Sequence, residues 1–240
     1  MREGASELTL RHVATPPGAE RPPWSAGTAL AALAIALLGS LTAAFLIGAV
    51  FLAIGVDEPE DSSGFGFAAT AAQSLVFVAT ALALTAPLPR SAARQFGFRP
   101  FRLSALGWAA LAVIAYFFLA GVYVELANPP QDDVPRQFGA DESTALAVIT
   151  GIFVVGMAPP VEEFFFRGFL YQALRNRIGV WGGAMASGLL FGAIHFKPEF
   201  LVPLAILGTI LALLFERTGS LWPCILVHAL NNSIAFAVTV

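Results

Sequence analysis

From Ala26 to Val56 the chain runs without a single charged side chain. A spanning helix needs about 20 consecutive apolar residues, and a backbone in hydrocarbon must satisfy its hydrogen bonds internally, so a run of this length dictates a membrane helix. It is about twice the apolar length of a secretory leader and reads as a retained first span. Comparable runs recur as far as Val240. With 57% hydrophobic and 12% charged residues and a mean hydropathy of +0.75, the composition lies outside that of soluble domains. The expected fold class is therefore all-α: a polytopic transmembrane helical bundle with about seven spans.

Residues 1–25 carry Arg2, Arg11 and Arg21 among four prolines and read as a flexible cytoplasmic tail. Residues 26–240 read as one transmembrane domain without an internal repeat. Its spans are expected at about Thr28–Val56, Phe65–Pro87, Leu103–Ala127, Ser143–Leu174, Val180–Phe196, Phe200–Phe215 and Leu221–Thr239. The first ends at the acidic turn Asp57-Glu58-Pro59-Glu60-Asp61, and an outer loop from Gln131 to Glu142 contains Asp132, Asp133 and Asp141. Arg90, Arg94, Arg99 and Arg102 fill the connection after the second span. Basic residues in short loops mark the cytoplasmic side, which puts this connection and the N-terminus in the cytoplasm. Pro159-Pro160 should break or kink the fourth span. Counting it as a single crossing brings Arg175 and Arg177 to the same side as the arginine-rich connection.

The formal net charge of −3 gives no reason to expect nucleic acid as a partner. Cys224 is the only cysteine, so neither an internal disulfide nor a cysteine metal cluster can form.

The chemistry concentrates in 143–240, the expected catalytic core. Glu162, Glu163 and Arg167 lie inside an apolar segment, where each charged group costs about 2.5 to 3.5 kcal/mol on insertion scales. Glu163 and Arg167 are spaced to form an ion pair along one helix face. Glu162 has no such local partner. His195 and His228 fall in expected spans, with Phe191 four residues before the first and Asn232 four residues after the second. Measured at 1.5 Å per residue from the cytoplasmic ends, these groups reach overlapping depths, which suits a polar intramembrane cavity. Phe164, Phe165 and Phe166 read as core or lipid-facing filler. Gln73, Glu125, Lys197, Glu199, Glu216 and Arg217 form no evident cluster.

Glu162-Glu163-x-x-x-Arg167, Phe191-x-x-x-His195 and His228-x-x-x-Asn232, in that order on successive spans and with Ala158-Pro159 before the first, resemble the three-motif signature of the type II CAAX prenyl endopeptidases. The resemblance extends to their bacterial relatives, the CAAX protease and bacteriocin-processing (CPBP) intramembrane protease family, and covers about Ala145 to Val240. It implies an intramembrane endopeptidase acting on a peptide or protein substrate at the membrane. Glu162 would activate a water together with His195. His228 and Asn232 would hold the oxyanion, while Glu163, Arg167 and Phe191 would support the site. Relatives have been described as metalloproteases, which makes zinc the candidate cofactor and Glu162, His195 and His228 its candidate ligands. The same side chains also account for hydrolysis without a metal. Two other classes fit the polar cluster: a non-enzymatic membrane scaffold or immunity protein, and, less well, a proton-coupled carrier. The alanine- and arginine-rich, lysine-poor composition points to a bacterial cytoplasmic membrane.

Overall fold

The computed structural model describes residues 22–87, 92–129, 138–140 and 142–239. The residues described are helical or in short connections, with no strand among them. Most of the tail, Arg90, Asp132, Asp133 and Asp141 lie outside the described residues.

Helix α1 (Ala26–Ala53) starts where the Ser25 hydroxyl accepts from the Thr28 N–H, the expected N-cap chemistry, and a 3-10 turn at Pro59–Asp61 follows it. It is followed by α2 (Ser63–Thr85), the short α3 (Ala92–Gln95) and α4 (Ser104–Ala127). A long helical stretch then runs from Thr144 to Ala193, and Gly179 divides it. Its φ of 77° and ψ of 175° are open to glycine and strained for other residues, so the chain reverses there. We call the two parts α5 (144–178) and α6 (180–193). Helices α7 (Leu201–Thr218) and α8 (Leu221–Thr239) complete the bundle.

Six helical stretches are long and apolar enough to cross a membrane, the Thr144–Ala193 stretch counting as one of them. The break at Gly179 turns those six into the seven passes expected from the sequence. The chain is a multi-pass membrane protein. Its surface bears the matching apolar belt: Phe45 is 75% exposed and Phe118 69%, values that a water-facing helix would not sustain.

One end of the bundle gathers the starts of α1, α4 and α8 with the ends of α5 and α7. Trp24 stacks on Phe96, the Leu221 N–H donates to the Gly97 carbonyl, Ser220 Oγ donates to the Arg99 carbonyl, and the Arg217 guanidinium lies 4.3 Å from the Trp108 ring. All four tryptophans, Trp24, Trp108, Trp181 and Trp222, belong to helix starts that face this end, alongside Arg94, Arg99, Arg175 and Arg177. Tryptophan and arginine together are what a helix presents to a lipid headgroup layer. At the opposite end, Tyr123 Oη donates to the Glu199 carbonyl. Glu216 corrects the expectation of no further cluster: it accepts from Arg175 at 2.7 Å and from Tyr171 at 3.0 Å.

The core surrounds the second half of α5. Phe164, Phe165, Phe166, Phe169 and Tyr171 are all buried, so the phenylalanine run is core filler and not a lipid contact. The stretch 172–193 packs most extensively on α7. Gly188 and Gly192 have the Gly-x-x-x-Gly spacing that lets membrane helices approach closely; Gly208 of α7 meets Gly188, and Leu201 and Ala205 lie against Gly192. A Cβ on Gly208 would lie 2.7 Å from the Gly188 Cα.

Candidate functional site

Helix α5 does not break at its two prolines. It passes through a π-helical segment at Ile152–Met157, an α-helical one at Ala158–Glu163 that starts with the prolines, and a second π segment at Phe164–Tyr171. Proline has no N–H and its ring crowds the preceding turn, and a wider turn accommodates both. The Ala158 N–H accordingly reaches back five residues, to the Phe153 carbonyl. The widened turns carry Glu162 and Glu163 inward, toward α8.

Glu163 is fully buried, and its Oε1 accepts two hydrogen bonds, from Arg167 Nη1 at 2.8 Å and from His228 Nδ1 at 2.8 Å. The ion pair expected along α5 is thus present, and it also grips a helix 65 residues later in the chain. Arg167 is itself fully buried. It donates from Nη2 to the Gly208 carbonyl at 3.1 Å and lies 4.6 Å from the centre of the Phe191 ring. The glycine contact described above is what brings that carbonyl within reach.

His228 is 3% exposed. Because Glu163 is the acceptor at Nδ1, the ring carries its proton there and turns Nε2 toward Glu162, whose Oε2 is 3.7 Å away. That gap is too long for a direct hydrogen bond. Glu162 Oε2 has no hydrogen-bond partner, although the carboxylate as a whole is 26% exposed. The site therefore holds a balanced Glu163–Arg167 pair and one further carboxylate with unused acceptor capacity facing an imidazole.

His195 lies just past the end of α6, in a turn and not within the span as expected. The helix closes at Ile194, and Phe196 adopts a positive φ of 53°. The exit leaves the Phe191 carbonyl without a helical donor, and His195 Nδ1 donates to it at 2.7 Å. The carbonyl can only accept, so the neutral ring keeps a lone pair on Nε2. Phe191 is fully buried and contacts both imidazoles, with ring centroids 5.0 Å from His195 and 5.6 Å from His228. Asn232 donates from Nδ2 to the Val154 carbonyl at 2.9 Å and accepts from Asn231 at 3.3 Å.

The structure thus joins Glu162, Glu163, Arg167 and His228 in one network, brings His195 to it across the Phe191 ring, and ties Asn232 to the widened turn of α5. For the zinc expected of Glu162, His195 and His228 the fit is poor. Each imidazole is hydrogen-bonded through Nδ1 and leaves Nε2 open, yet among the described residues no three His, Cys, Asp or Glu side chains gather closely enough to hold a metal ion.

Residues 144–234 match the family model described as Type II CAAX prenyl endopeptidase Rce1-like. The chain is 30% identical over 128 residues to an Escherichia coli protein named "Uncharacterized 24.3 kDa protein", an alignment covering 51% of this chain and 57% of that one. It is 25% identical over 138 residues to the "Putative membrane peptidase YdiL" of Bacillus subtilis (strain 168), covering 53% and 55%. The chain thus spans a little over half the length of these curated relatives. No solved structure matches it. The matched segment contains the whole network from Glu162 to Asn232, so the similarity to the type II CAAX prenyl endopeptidase Rce1-like family covers every residue of the candidate site.

Proposed function

We propose that the chain is an intramembrane endopeptidase that hydrolyses a peptide bond of a membrane-associated peptide or protein. The observation that carries this reading is Glu162. It is a partly accessible carboxylate with an unpartnered buried oxygen, set 3.7 Å from an imidazole that a second carboxylate holds in place. A water donating to Glu162 Oε2 in front of that imidazole would complete the geometry.

In the reaction we assign, Glu162 takes a proton from that water as its oxygen bonds to the carbonyl carbon of the scissile peptide, and His195 Nε2 orients the same water as an acceptor. The oxyanion that forms is met by the free N–H of the Asn232 amide and by His228. Glu163 fixes the His228 ring and balances its positive charge when Nε2 also carries a proton, the part a buried carboxylate plays beside a catalytic histidine. Collapse of the tetrahedral intermediate breaks the C–N bond, and Glu162 returns its proton to the leaving amine. Arg167 holds Glu163 through their short ion pair, and Phe191 packs against both imidazoles.

The ring of tryptophan and arginine at one end of the bundle supports a cytoplasmic N-terminus. With Glu162 on the membrane-crossing part of α5, the substrate has to present its bond within the bilayer.

The test is Glu162→Gln, which keeps the shape and removes the base. Purified variant that elutes and melts like the parent should lose cleavage of a membrane-anchored reporter peptide by at least about a hundredfold. Cleavage at the parental rate would remove Glu162 from the chemistry, and a parent inert toward every membrane-anchored peptide would favour a scaffold.

A further inference from the structure

The widened turn in α5 leaves one carbonyl in an unusual position. Ala158 donates to Phe153, five residues back, so in that register the donor for Val154 would be residue 159. Residue 159 is a proline and has no N–H. The Val154 carbonyl is thereby released from the helix, at the level of the polar network. An unpaired carbonyl at membrane depth is costly, and the group that satisfies it comes from another helix: Asn232 Nδ2 of α8, at 2.9 Å.

A side-chain amide has two N–H donors and one carbonyl. In Asn232 the carbonyl accepts from Asn231 and one N–H is bound to Val154, which leaves the second N–H free in a fixed direction. The bond to Val154 would not form on an α5 that ran in the ordinary register, because the Ala158 N–H would then occupy the Val154 carbonyl.

We propose that Pro159 is a positioning residue: by withholding a backbone N–H it presents the Val154 carbonyl to Asn232, and that bond orients the amide as the oxyanion donor and pins α8 against α5 beside Glu162. The proline thus acts through the donor it lacks, and the kink it was expected to cause is secondary. The orienting part rests on the peptidase reading above; the bond exchange between Pro159 and Asn232 does not.

Six proteins test this: the parent, Pro159→Ala, Asn232→Ala and their double variant, and Asn232→Asp in the parent and Pro159→Ala backgrounds as a second removal of the donor. Each is melted in detergent and assayed on a membrane-anchored reporter peptide. Asn232→Ala strands the Val154 carbonyl and should lower Tm by about 2 to 10 °C. Adding Pro159→Ala supplies a backbone N–H, so the double variant should regain at least half of that loss while remaining inactive. Pro159→Ala alone should keep or raise Tm yet lower kcat about tenfold with KM within about twofold, since the freed amide no longer holds its direction. Melting shifts that simply add would overturn the exchange, and an unchanged kcat in Pro159→Ala would overturn the orienting role. If the parent cleaves no peptide, the peptidase reading fails, and the melting arm still decides whether Asn232 replaces the missing N–H.

Discussion

Arg167→Met is the most direct probe of the buried network. The guanidinium is fully enclosed, pairs with the equally enclosed Glu163 and donates to the Gly208 carbonyl. Methionine keeps much of the stem and its packing on Phe191 but removes the charge. Glu163 is then left as a buried carboxylate with only His228 as a partner, and stranding one member of a buried pair costs about 3 to 5 kcal/mol. A protein of this size loses about 2 to 4 °C for each kcal/mol, which gives a fall in Tm of roughly 6 to 20 °C. Glu163→Gln combined with Arg167→Met removes both charges and should recover most of that loss, because neither member of the buried pair is then left without its counter-charge. Melting in detergent, followed by loss of the monodisperse chromatographic peak, measures both. The double variant should still turn over slowly, since the carboxylate that orients His228 is gone. A fall below about 2 °C for Arg167→Met, or a double variant whose loss equals the sum of its parts, would refute the view that these charges depend on one another.

Gly208→Ala should cost about 1 to 3 kcal/mol by overpacking, because its Cβ would sit 2.7 Å from the Gly188 Cα; the loss should appear as a lower Tm and as reduced turnover from the displaced Arg167 carbonyl partner. Elemental analysis of purified parent, Glu162→Ala and His195→Ala tests the metal question: we expect no stoichiometric zinc, and zinc present in the parent but lost in both variants would overturn the metal-free sequence of steps. Arg94→Cys tests orientation. Cys224 is fully buried and should stay silent, so an impermeant maleimide should label the exposed position 94 in intact cells only after permeabilisation.

The spans were readable because the bilayer imposes one rule on length and polarity, and the loop charges correctly counted Ser143–Leu174 as a single pass. The turn at Gly179 lies in the gap left between the spans expected to end at Leu174 and to start at Val180, which Arg175 and Arg177 marked; only the backbone angles single out the glycine as the residue that reverses the chain. Glu163–Arg167 was legible because both partners sit on one helix. The bond from Glu163 to His228 was not, since no spacing within the sequence pairs residues on separate helices. Gly188-x-x-x-Gly192 was a usable signal, and it marks the close approach that brings the Gly208 carbonyl to Arg167. His195 was misplaced into a span because Ile194, His195 and Phe196 carry no helix-stop residue; the exit is set instead by the ring bonding back to the Phe191 carbonyl and by the left-handed Phe196. The prolines were expected to break or kink a span crossed once, whereas the helix absorbs them by widening, a choice that depends on who receives the released carbonyl.

Trp24 has a consequence for the order in which the protein can be assembled. Its indole N–H donates to the Phe169 carbonyl, 145 residues further on, and its ring lies against Phe169 and Phe96. At a synthesis rate of 5 to 20 residues per second, the anchor for the first helix emerges roughly 7 to 29 s after the tryptophan itself. Until then α1 is held by its packing on α2 and by the Trp24–Phe96 stack. A chain halted before Phe169 would keep the first two spans together but leave the start of α1 without its bond to α5.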